Sequence, residues 1–234
     1  MRAVVGLHRR LINMEITMYL DKFELIRYNF FKWRYETNLV YKVSLALGFA
    51  CLTGLLAQFR FYLPGNPLVP ITGQTFAVLL AGILLGTWGG ISLCMYAGIG
   101  AMGVPWFANF QGGIGAITGS TGGYIIGFVI AAFFLGYVTD RYIRSRSFFS
   151  MFPLMLFATF ILIYVPGLVY LYYYLSALGV SVGLLELLSL GMIPFIAGDI
   201  IKMVAAAAVA KGITPKRAYG SEVDMEKSKS WHIP

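Results

Sequence analysis

The sequence predicts an all-α membrane protein with six transmembrane helices and both termini in the cytoplasm. Hydrophobic residues make up 59% of the 234 residues and charged residues only 12%, and the mean hydropathy is +0.76. This composition is typical of polytopic membrane proteins and not of soluble domains. Two further observations lead to the same class: apolar segments of span length recur along the chain, and basic residues collect on one side of them.

Six apolar segments account for the predicted spans, and the first begins at residue 43. Each approaches the ~20 residues that cross a bilayer, although the second and third are short. Their predicted bounds are 43–60, 74–87, 89–104, 119–138, 151–174 and 192–211. The connections 61–73, 105–118 and 175–191 therefore lie on one side of the membrane, and 139–150 lies on the other.

Basic residues set the orientation of these spans. Eight of the 18 Lys and Arg precede residue 43, three lie in 139–150 and five follow residue 210. The three connections on the opposite side carry none, and Arg60 lies alone at a helix end there. Because basic segments stay in the cytoplasm, both termini are predicted to be cytoplasmic, in a multi-pass protein of the cell membrane.

The chain is interpreted as one membrane domain, 43–212, with a basic segment on each side. The N-terminal extension, 1–42, interleaves cations with Leu, Phe and Trp, which suits a short helix on the inner membrane surface or, alternatively, a solvated tail. Residues 213–234 form a cytoplasmic tail. A net charge of +8 is also compatible with nucleic acid binding, but these cations flank apolar spans, so topology explains them better and no nucleic acid partner is expected.

No set of residues suits catalysis or a metal site. Cys51 and Cys94 lie inside apolar segments, so we expect core packing residues and not a disulfide or metal cluster. Residues 98–103 fit G-x-G-x-x-G but end a span, without the strand and helix of a dinucleotide fold. The sequence contains no G-x-x-x-x-G-K-[ST] motif, and no Ser, His and Asp set can assemble within the spans. The protein is therefore predicted to be no enzyme and to need no cofactor.

One acid and one base lie inside the last apolar segment. Asp199 and Lys202 are three residues apart, so they share one face of a helix. A lone charge in the bilayer costs ~2.5 to 3.5 kcal/mol on insertion scales, and such groups therefore pair and turn toward the protein interior. A polar binding site explains the pair most simply. The alternative is an ion pair that only fixes helix packing.

Glycine is concentrated between residues 70 and 128, where 15 of the 27 glycines lie. This density allows close helix approach within spans and irregular backbone between them. Two segments on the predicted external side, 64–75 and 103–113, combine proline, glycine and polar or aromatic residues. Irregular backbone at membrane depth is tolerated where it lines a cavity, so we expect these segments to close over a pocket reached from outside.

Four segments, in this order, resemble the BioY family, the biotin-binding S-components of energy-coupling factor transporters. They read VPITGQT at 69–75, LAGILLG at 80–86, GSTGGYIIGF at 119–128 and PFIAGDIIK at 194–202. The resemblance covers about 43–212. Ser120 stands where the family usually has proline, and the basic N-terminus is additional to the family core.

The resemblance implies high-affinity capture of biotin from outside and its release inward. It also implies that Asn109, Asp199 and Lys202 contact the biotin ring system. A ureido group presents two N–H donors and one carbonyl acceptor, so the carboxylate can accept while the ammonium and the amide donate. The rest of the ligand would lie against aromatics such as Trp106 and Tyr124, for which ordinary packing in the core or at the membrane interface is the alternative.

Two further polar positions are candidates for ligand contacts. Thr121 belongs to 120–123, which opens the fourth span, where free N–H groups and the helix dipole favour the ligand carboxylate. Gln74 belongs to 72–75, which would form part of a lid or, alternatively, cap the second span.

A partner site is predicted on the first span. Ala46 and Ala50 form an A-x-x-x-A pair whose small side chains lie on one face and let another helix approach. The resemblance implies that such a pair docks the transmembrane coupling subunit, which works with two ATPase subunits. Packing inside the bundle is the alternative for these alanines.

Three other functions remain as alternatives. An S-component for a biotin precursor or a related vitamin would have the same general sequence. An independent secondary transporter would show inverted repeats or broken helices in corresponding halves, and no such repeat is visible. An intramembrane enzyme would need more polar residues within the spans than Asp199 and Lys202.

Overall fold

The computed structural model describes residues 22–63 and 66–225. The predictions made for residues 1–21, 64–65 and 226–234 therefore lie outside the described residues. The described part is mostly helical. Its four helical stretches that are long and apolar enough to cross a membrane are Leu39–Gln58, Gly122–Arg141, Phe148–Ala177 and Leu184–Ile213.

The first half of the chain contains helices α1 to α5. Helix α1 covers 22–36, which agrees with the short helix predicted for the basic extension. It is followed by α2 (Leu39–Gln58), α3 (Gln74–Leu85), α4 (Thr87–Ala101) and the one-turn α5 (Ile114–Ile117). The side chain of Asn38 accepts a hydrogen bond from the Tyr41 amide, so it caps the start of α2.

The second half contains helices α6 to α10. These are α6 (Gly122–Arg141), α7 (Phe148–Phe157), α8 (Tyr164–Ala177), α9 (Leu184–Gly191) and α10 (Ile196–Ile213). A π-helical segment, Ala158–Ile163, joins α7 directly to α8. Short 3-10 turns lie at Ala108–Phe110, Ile143–Arg146 and Ile193–Phe195.

Each predicted span has a helical counterpart in the structure. Helices α3 and α4 have 12 and 15 residues, and they correspond to the two spans that the sequence predicts to be short. Gly86 separates them at a φ of +64°, a conformation that only glycine adopts without strain. The two helices therefore turn back on each other within a single residue.

The prediction that the protein is all helix is wrong at one place. Strands β1 (Arg60–Leu63) and β2 (Asn66–Thr72) pair antiparallel, with Arg60 opposite Thr72. Pro67 and Pro70 disfavour a helix here, whereas an edge strand tolerates proline because it leaves amides unpaired. The resulting hairpin connects α2 to α3.

Helix α6 lies at the centre of the bundle, and glycines let its neighbours approach. A Cβ added to Gly82 of α3 would lie 2.8 Å from the Ala132 carbonyl oxygen of α6. A Cβ added to Gly127 of α6 would lie 2.6 Å from the Cα of Ile163. Both distances are shorter than any ordinary carbon contact, so these helices need glycine to pack as they do.

The segments predicted to be cytoplasmic meet at one end of the bundle. Arg27 of α1 donates a hydrogen bond to the Gly212 carbonyl at 2.9 Å, and Arg146 donates to the Pro215 carbonyl at 3.3 Å. The segments predicted to be external meet at the other end, where Ser120 Oγ donates to the Leu68 carbonyl at 2.7 Å.

The core packing predicted for the two cysteines is wrong. Cys51 and Cys94 are both free and both exposed on the outer face of the bundle. Apolar composition alone does not separate the interior of a membrane protein from its lipid-facing surface, because both surroundings are apolar.

Candidate functional site

A cavity lies near the end of the bundle that carries the hairpin. It is bounded by β2, the start of α3, the 106–110 loop, the start of α6, the junction of the π segment with α8, and α10. The side chains around it are mainly apolar, with a few polar groups, as is usual for a small-molecule site. Five of the seven predicted ligand-binding residues line it: Gln74, Thr121, Tyr124, Asp199 and Lys202.

Asp199 and Lys202 form the predicted ion pair on one face of α10. Lys202 Nζ lies 2.8 Å from Asp199 Oδ1. Asp199 is only 3% exposed, whereas the Lys202 side chain is 19% exposed. A buried carboxylate needs partners at both of its oxygens, and the second partner is the Tyr164 hydroxyl, which donates to Oδ2. The pair therefore belongs to a three-residue polar group on the cavity wall.

No sequence pattern identifies Tyr164. The chain contains 15 tyrosines, several of them close to Tyr164, and none carries a motif that distinguishes it. The π segment directly before Tyr164 is the structural feature that sets this residue apart. Such wide turns are rare and occur often at functional sites.

Tyr124 lines the cavity with its ring and not with its hydroxyl. Its hydroxyl donates to the Gly191 carbonyl at 2.8 Å, so the polar end of the side chain is occupied. Its ring packs edge-on against Tyr164, with the centroids 6.1 Å apart. Gly167 lies against the same ring, too close to accept a Cβ. The ring position is therefore fixed, and it presents an apolar surface to the cavity.

Gln74 is the first residue of α3, and it lies beside the cavity. Its side chain lines the cavity, and its backbone N–H donates to Thr72 Oγ1 at 3.3 Å at the start of α3. Its Nε2 donates to the Tyr96 hydroxyl at 2.8 Å, and its Oε1 accepts from Thr72 Oγ1 at 2.9 Å. These hydrogen bonds fix the direction of the amide.

Trp106 lies behind the cavity wall and does not line it. Its Nε1 donates to the Tyr96 carbonyl at 3.0 Å, and its ring packs 5.4 Å from the ring of Tyr96. Because the Tyr96 hydroxyl accepts from Gln74 Nε2, Trp106 supports Gln74 indirectly, through its contact with Tyr96. A direct contact of Trp106 with the ligand stays a prediction.

Gln58, the last residue of α2, holds the loop that forms one wall of the cavity. Its Nε2 donates to the carbonyls of Trp106 at 3.2 Å and Phe107 at 2.9 Å, and its Oε1 accepts from the Phe110 amide at 3.2 Å. Phe107 is buried in the cavity lining. The position of this wall therefore depends on α2.

Asn109 lies at the exposed tip of the same loop and outside the cavity lining. Its Oδ1 accepts a hydrogen bond from Arg60 Nη2 at 2.8 Å. Its φ of +66° is uncommon for a residue with a side chain, although asparagine tolerates it better than most. Such strained positions cluster at ligand sites. The hydrogen bond from Arg60 leaves the Nδ2 donors of Asn109 available, but the ligand contact predicted for Asn109 requires the loop tip to move to the cavity.

Thr121 is the residue before the first turn of α6, and it reaches the cavity. Its carbonyl accepts from the amides of Tyr124 at 3.1 Å and Ile125 at 3.3 Å. The neighbouring Ser120 is tied to the hairpin through the Leu68 carbonyl. Ser120 stands where the family usually has proline. Its hydroxyl donates a hydrogen bond that a proline side chain cannot donate.

Ala46 and Ala50 face the interior of the bundle. Both are 0% exposed, so a helix of another protein cannot reach them in this arrangement. This placement favours the internal-packing alternative over the docking role. Gly48 lies on the open side of α2. Apart from its chain neighbours and the backbone of its own helix, no atom lies within 4 Å of a Cβ added to it.

The BioY family model matches residues 29–219, a range wider than the 43–212 that the motifs cover. The chain is 49% identical over 157 residues to the "Probable biotin transporter BioY" of Methanothermobacter thermautotrophicus, covering 66% of this chain and 100% of the relative. It is 35% identical over 143 residues to the "Biotin transporter BioY" of Thermotoga maritima, covering 61% and 79%.

The fold is similar to a solved structure, the S-component for biotin from an ECF-type ABC transporter. The TM-score is 0.65 at 23% sequence identity. The similarity covers 74% of this chain and 89% of that structure.

Proposed function

Because the chain belongs to the BioY family, we propose that it captures biotin and takes it up across the cell membrane as the substrate-specific component of an energy-coupling factor transporter. The observation that carries this proposal is the polar group of Asp199, Lys202 and Tyr164 on the wall of an otherwise apolar cavity. Biotin combines a small polar ureido group with an apolar ring and chain, so its chemistry matches that of the cavity.

The ureido group binds at the polar end. One of its N–H groups donates to a free lone pair of the Asp199 carboxylate, and the adjacent carbonyl accepts from the Lys202 ammonium. Asn109 adds a further hydrogen bond from its Nδ2 once the loop tip that carries it moves to the cavity. Hydrogen bonds to charged groups contribute about 1.5 to 3 kcal/mol each, which is enough to orient the ring.

The sulfur ring and the side chain of biotin lie against the apolar walls. The Tyr124 ring forms one of these walls, and Phe107, Phe128 and Phe195 line the same cavity. Burying apolar ligand surface contributes about 25 cal/mol per Å². The ligand carboxylate lies at Thr121, where the start of α6 presents a favourable dipole to an anion.

The six transmembrane helices of this proposal are α2, α3, α4, α6, the combined α7 and α8, and α10, with both termini in the cytoplasm. The concentration of Arg and Lys at one end of the bundle supports this orientation. Residues 43–212 form the binding domain, 1–42 the N-terminal extension with α1 near the inner membrane surface, and 213–234 the cytoplasmic tail.

The energy for uptake comes from partner proteins in this proposal. A transmembrane coupling subunit and two ATPase subunits supply it, since the chain itself carries no P-loop motif. The protein alone then binds biotin without turnover, and uptake depends on ATP hydrolysis by the partners.

Isothermal calorimetry on the purified full-length protein tests the substrate. We expect tight binding of biotin and weaker binding of desthiobiotin, which keeps the ureido group but lacks the sulfur ring. Lipoate, which has the carboxylate chain without the ureido group, should bind least. Binding of desthiobiotin or another vitamin in preference to biotin would favour the S-component for a precursor or related vitamin. Uptake into vesicles by the chain alone, driven by an ion gradient, would favour a secondary transporter.

A further inference from the structure

We propose that Tyr164 is a specificity-determining residue, which fixes the direction in which the Asp199 carboxylate meets the ligand. This inference rests on the proposed function, because it concerns how that site recognises N–H groups. Tyr164 acts through Asp199, so it is a positioning residue.

The carboxylate of Asp199 is held at both oxygens. Lys202 Nζ donates to Oδ1 at 2.8 Å, and the Tyr164 hydroxyl donates to Oδ2. Asp199 and Tyr164 are each 3% exposed, so water does not replace either partner freely. A planar group with one donor at each end cannot rotate without losing one of them. The remaining lone pairs of the two oxygens therefore point in fixed directions.

The ring of Tyr164 is itself held in place by aromatic neighbours. Phe160 stacks on it with centroids 5.7 Å apart and an interplanar angle of 20°, and Tyr124 packs edge-on at 88°. Both arrangements are among those that aromatic pairs prefer. The hydroxyl consequently reaches Asp199 from a rigid base.

The π segment accounts for the direction of Tyr164. A π turn contains one more residue than an α turn, so it changes which side chains of the following helix face a given side. The segment ends at Ile163, and both Ile163 and Tyr164 line the cavity. Gly127 lies where a larger residue would collide with the backbone of Ile163. The local widening of the helix is thus accommodated by the neighbouring helix α6.

The second tyrosine of the cavity provides a contrast. Tyr124 has a ring of the same size, but its hydroxyl binds the Gly191 carbonyl and not the polar group. Loss of the Tyr124 hydroxyl removes a hydrogen bond from the cavity wall without freeing Asp199. Loss of the Tyr164 hydroxyl leaves Lys202 as the only donor to that carboxylate among the described contacts.

The consequence for recognition concerns the ureido N–H group that faces Asp199. The two N–H groups of a cyclic ureido ring point away from each other on either side of the carbonyl, so one carboxylate accepts from only one of them. A carboxylate in a fixed direction accepts from a correctly placed N–H group and rejects a ligand in which that donor is replaced. Without Tyr164 the carboxylate can turn toward Lys202 or toward a displaced donor. The protein should then still bind biotin, but it should discriminate less against analogues with one N–H group.

The test is a double-mutant cycle measured by calorimetry on the purified full-length protein. The ligands are biotin and a biotin methylated on a single ureido nitrogen; of the two such isomers, the one that the wild-type protein binds more weakly is used. The variants are Tyr164→Phe, Asp199→Asn and their combination. We expect Tyr164→Phe to weaken biotin binding about tenfold or more. It should also reduce the preference for biotin over the methylated analogue. In the Asp199→Asn background, Tyr164→Phe should change affinity less than about twofold, because the residue acts through the carboxylate.

Tyr124→Phe is the comparator, and it should weaken both ligands by the same factor in either background. Tyr164→Leu removes the same hydroxyl with a different shape, so it serves if Tyr164→Phe does not fold. Equal weakening of both ligands by Tyr164→Phe, or additive effects of Tyr164→Phe and Asp199→Asn, would overturn this inference without contradicting the proposed function. Absence of biotin binding by the wild-type protein would contradict the proposed function itself, and the inference with it.

Discussion

Arg146 and Glu222 form an ion pair that is closed off from solvent, although they are 76 positions apart in the chain. Arg146 Nη2 lies 2.7 Å from Glu222 Oε1, and the two side chains are 1% and 0% exposed. Glu222 also accepts from the amides of Tyr219 at 2.9 Å and Gly220 at 2.8 Å, and the Arg146 guanidinium lies 4.3 Å from the Tyr219 ring centroid. The described part of the C-terminal segment, up to residue 225, is therefore packed into the folded bundle.

Replacing Glu222 with leucine should destabilise the protein strongly. The change leaves the Arg146 charge buried without its carboxylate, and breaking a buried pair in this way costs about 3 to 5 kcal/mol. Thermal unfolding in detergent measures the loss. Glu186→Leu is the matched control, because Glu186 is exposed on α9 and a surface change is expected to cost less than about 0.5 kcal/mol. Equal unfolding temperatures for the two variants would contradict a structural role of the pair.

Acid should loosen the same segment. Burial alone raises the pKa of Glu222, but the hydrogen bonds from Arg146 and from the Tyr219 and Gly220 amides outweigh it and hold the pKa below the ordinary value of 4.5. A carboxyl whose pKa is lowered in the folded state contributes stability above its unfolded pKa and loses it as the pH falls through the folded value. The contribution of Glu222 is therefore constant from pH 7 to about pH 5 and disappears below about pH 4.5. Thermal unfolding followed against pH measures this, and Glu222→Gln should remove that part of the acid dependence. An unchanged acid profile in Glu222→Gln would refute the assignment.

Replacing Asp199 with asparagine should weaken biotin binding by ~1.5 to 3 kcal/mol or more. The substitution keeps the shape of the side chain, but it removes the charged acceptor and leaves Lys202 without its partner. Calorimetry gives the affinity. The matched control is Asp224→Asn at the opposite end of the bundle, where Asp224 accepts from the amides of Ile143 and Arg144. That variant should bind biotin normally. Wild-type affinity in Asp199→Asn would favour a purely structural ion pair.

Cysteine labelling should place the two ends of the bundle on opposite sides of the membrane. Gln111 and Arg144 are both exposed, so each can be replaced by cysteine in a background where Cys51 and Cys94 are changed to alanine. An impermeant maleimide added outside intact cells should label residue 111 and should reach residue 144 only after the membrane is opened. Labelling of residue 144 alone in intact cells would reverse the proposed orientation.

Tryptophan at Ala46 and Ala50 should damage folding and biotin binding together. Both alanines are fully buried, and overpacking a filled interior costs about 1 to 3 kcal/mol or more per site. Gly48→Trp is the matched variant on the open face of the same helix, and the isolated protein should tolerate it. The measurements are biotin affinity and ATP-driven uptake in the same variants. Normal affinity with loss of uptake in Ala46→Trp/Ala50→Trp would restore the docking role of the two alanines.

The sequence predicted those features that a local pattern encodes. Asp199 and Lys202 were identifiable because charge inside an apolar span is costly and their spacing puts them on one helical face. The short spans of α3 and α4 followed from the lengths of the apolar segments. Tyr164 was not identifiable, because a tyrosine in an apolar helix has no distinctive neighbours and a π turn leaves no visible mark on composition.

Features that depend on distant parts of the chain were also missed. In the sequence, Glu222 is one more charged residue in a polar tail. No local pattern indicates that it pairs with Arg146. The small residues Ala46 and Ala50 satisfy the spacing of a contact face whether the contact is internal or with another protein. The predicted burial of the two cysteines was wrong for a related reason, since membrane proteins are apolar on their outer surface as well as inside.

The hydrogen bonds of Gln58 connect one wall of the cavity directly to helix α2. Its side chain ties the carbonyls of Trp106 and Phe107 and the amide of Phe110 to the end of α2. Each such bond is worth about 0.5 to 1.5 kcal/mol, so α2 cannot tilt away from the bundle while the loop stays behind without losing a few kcal/mol. In the proposed function, thermodynamic linkage predicts that a force that moves α2 also changes the affinity of the cavity for its ligand. A bound ligand in contact with the loop then resists the same tilt.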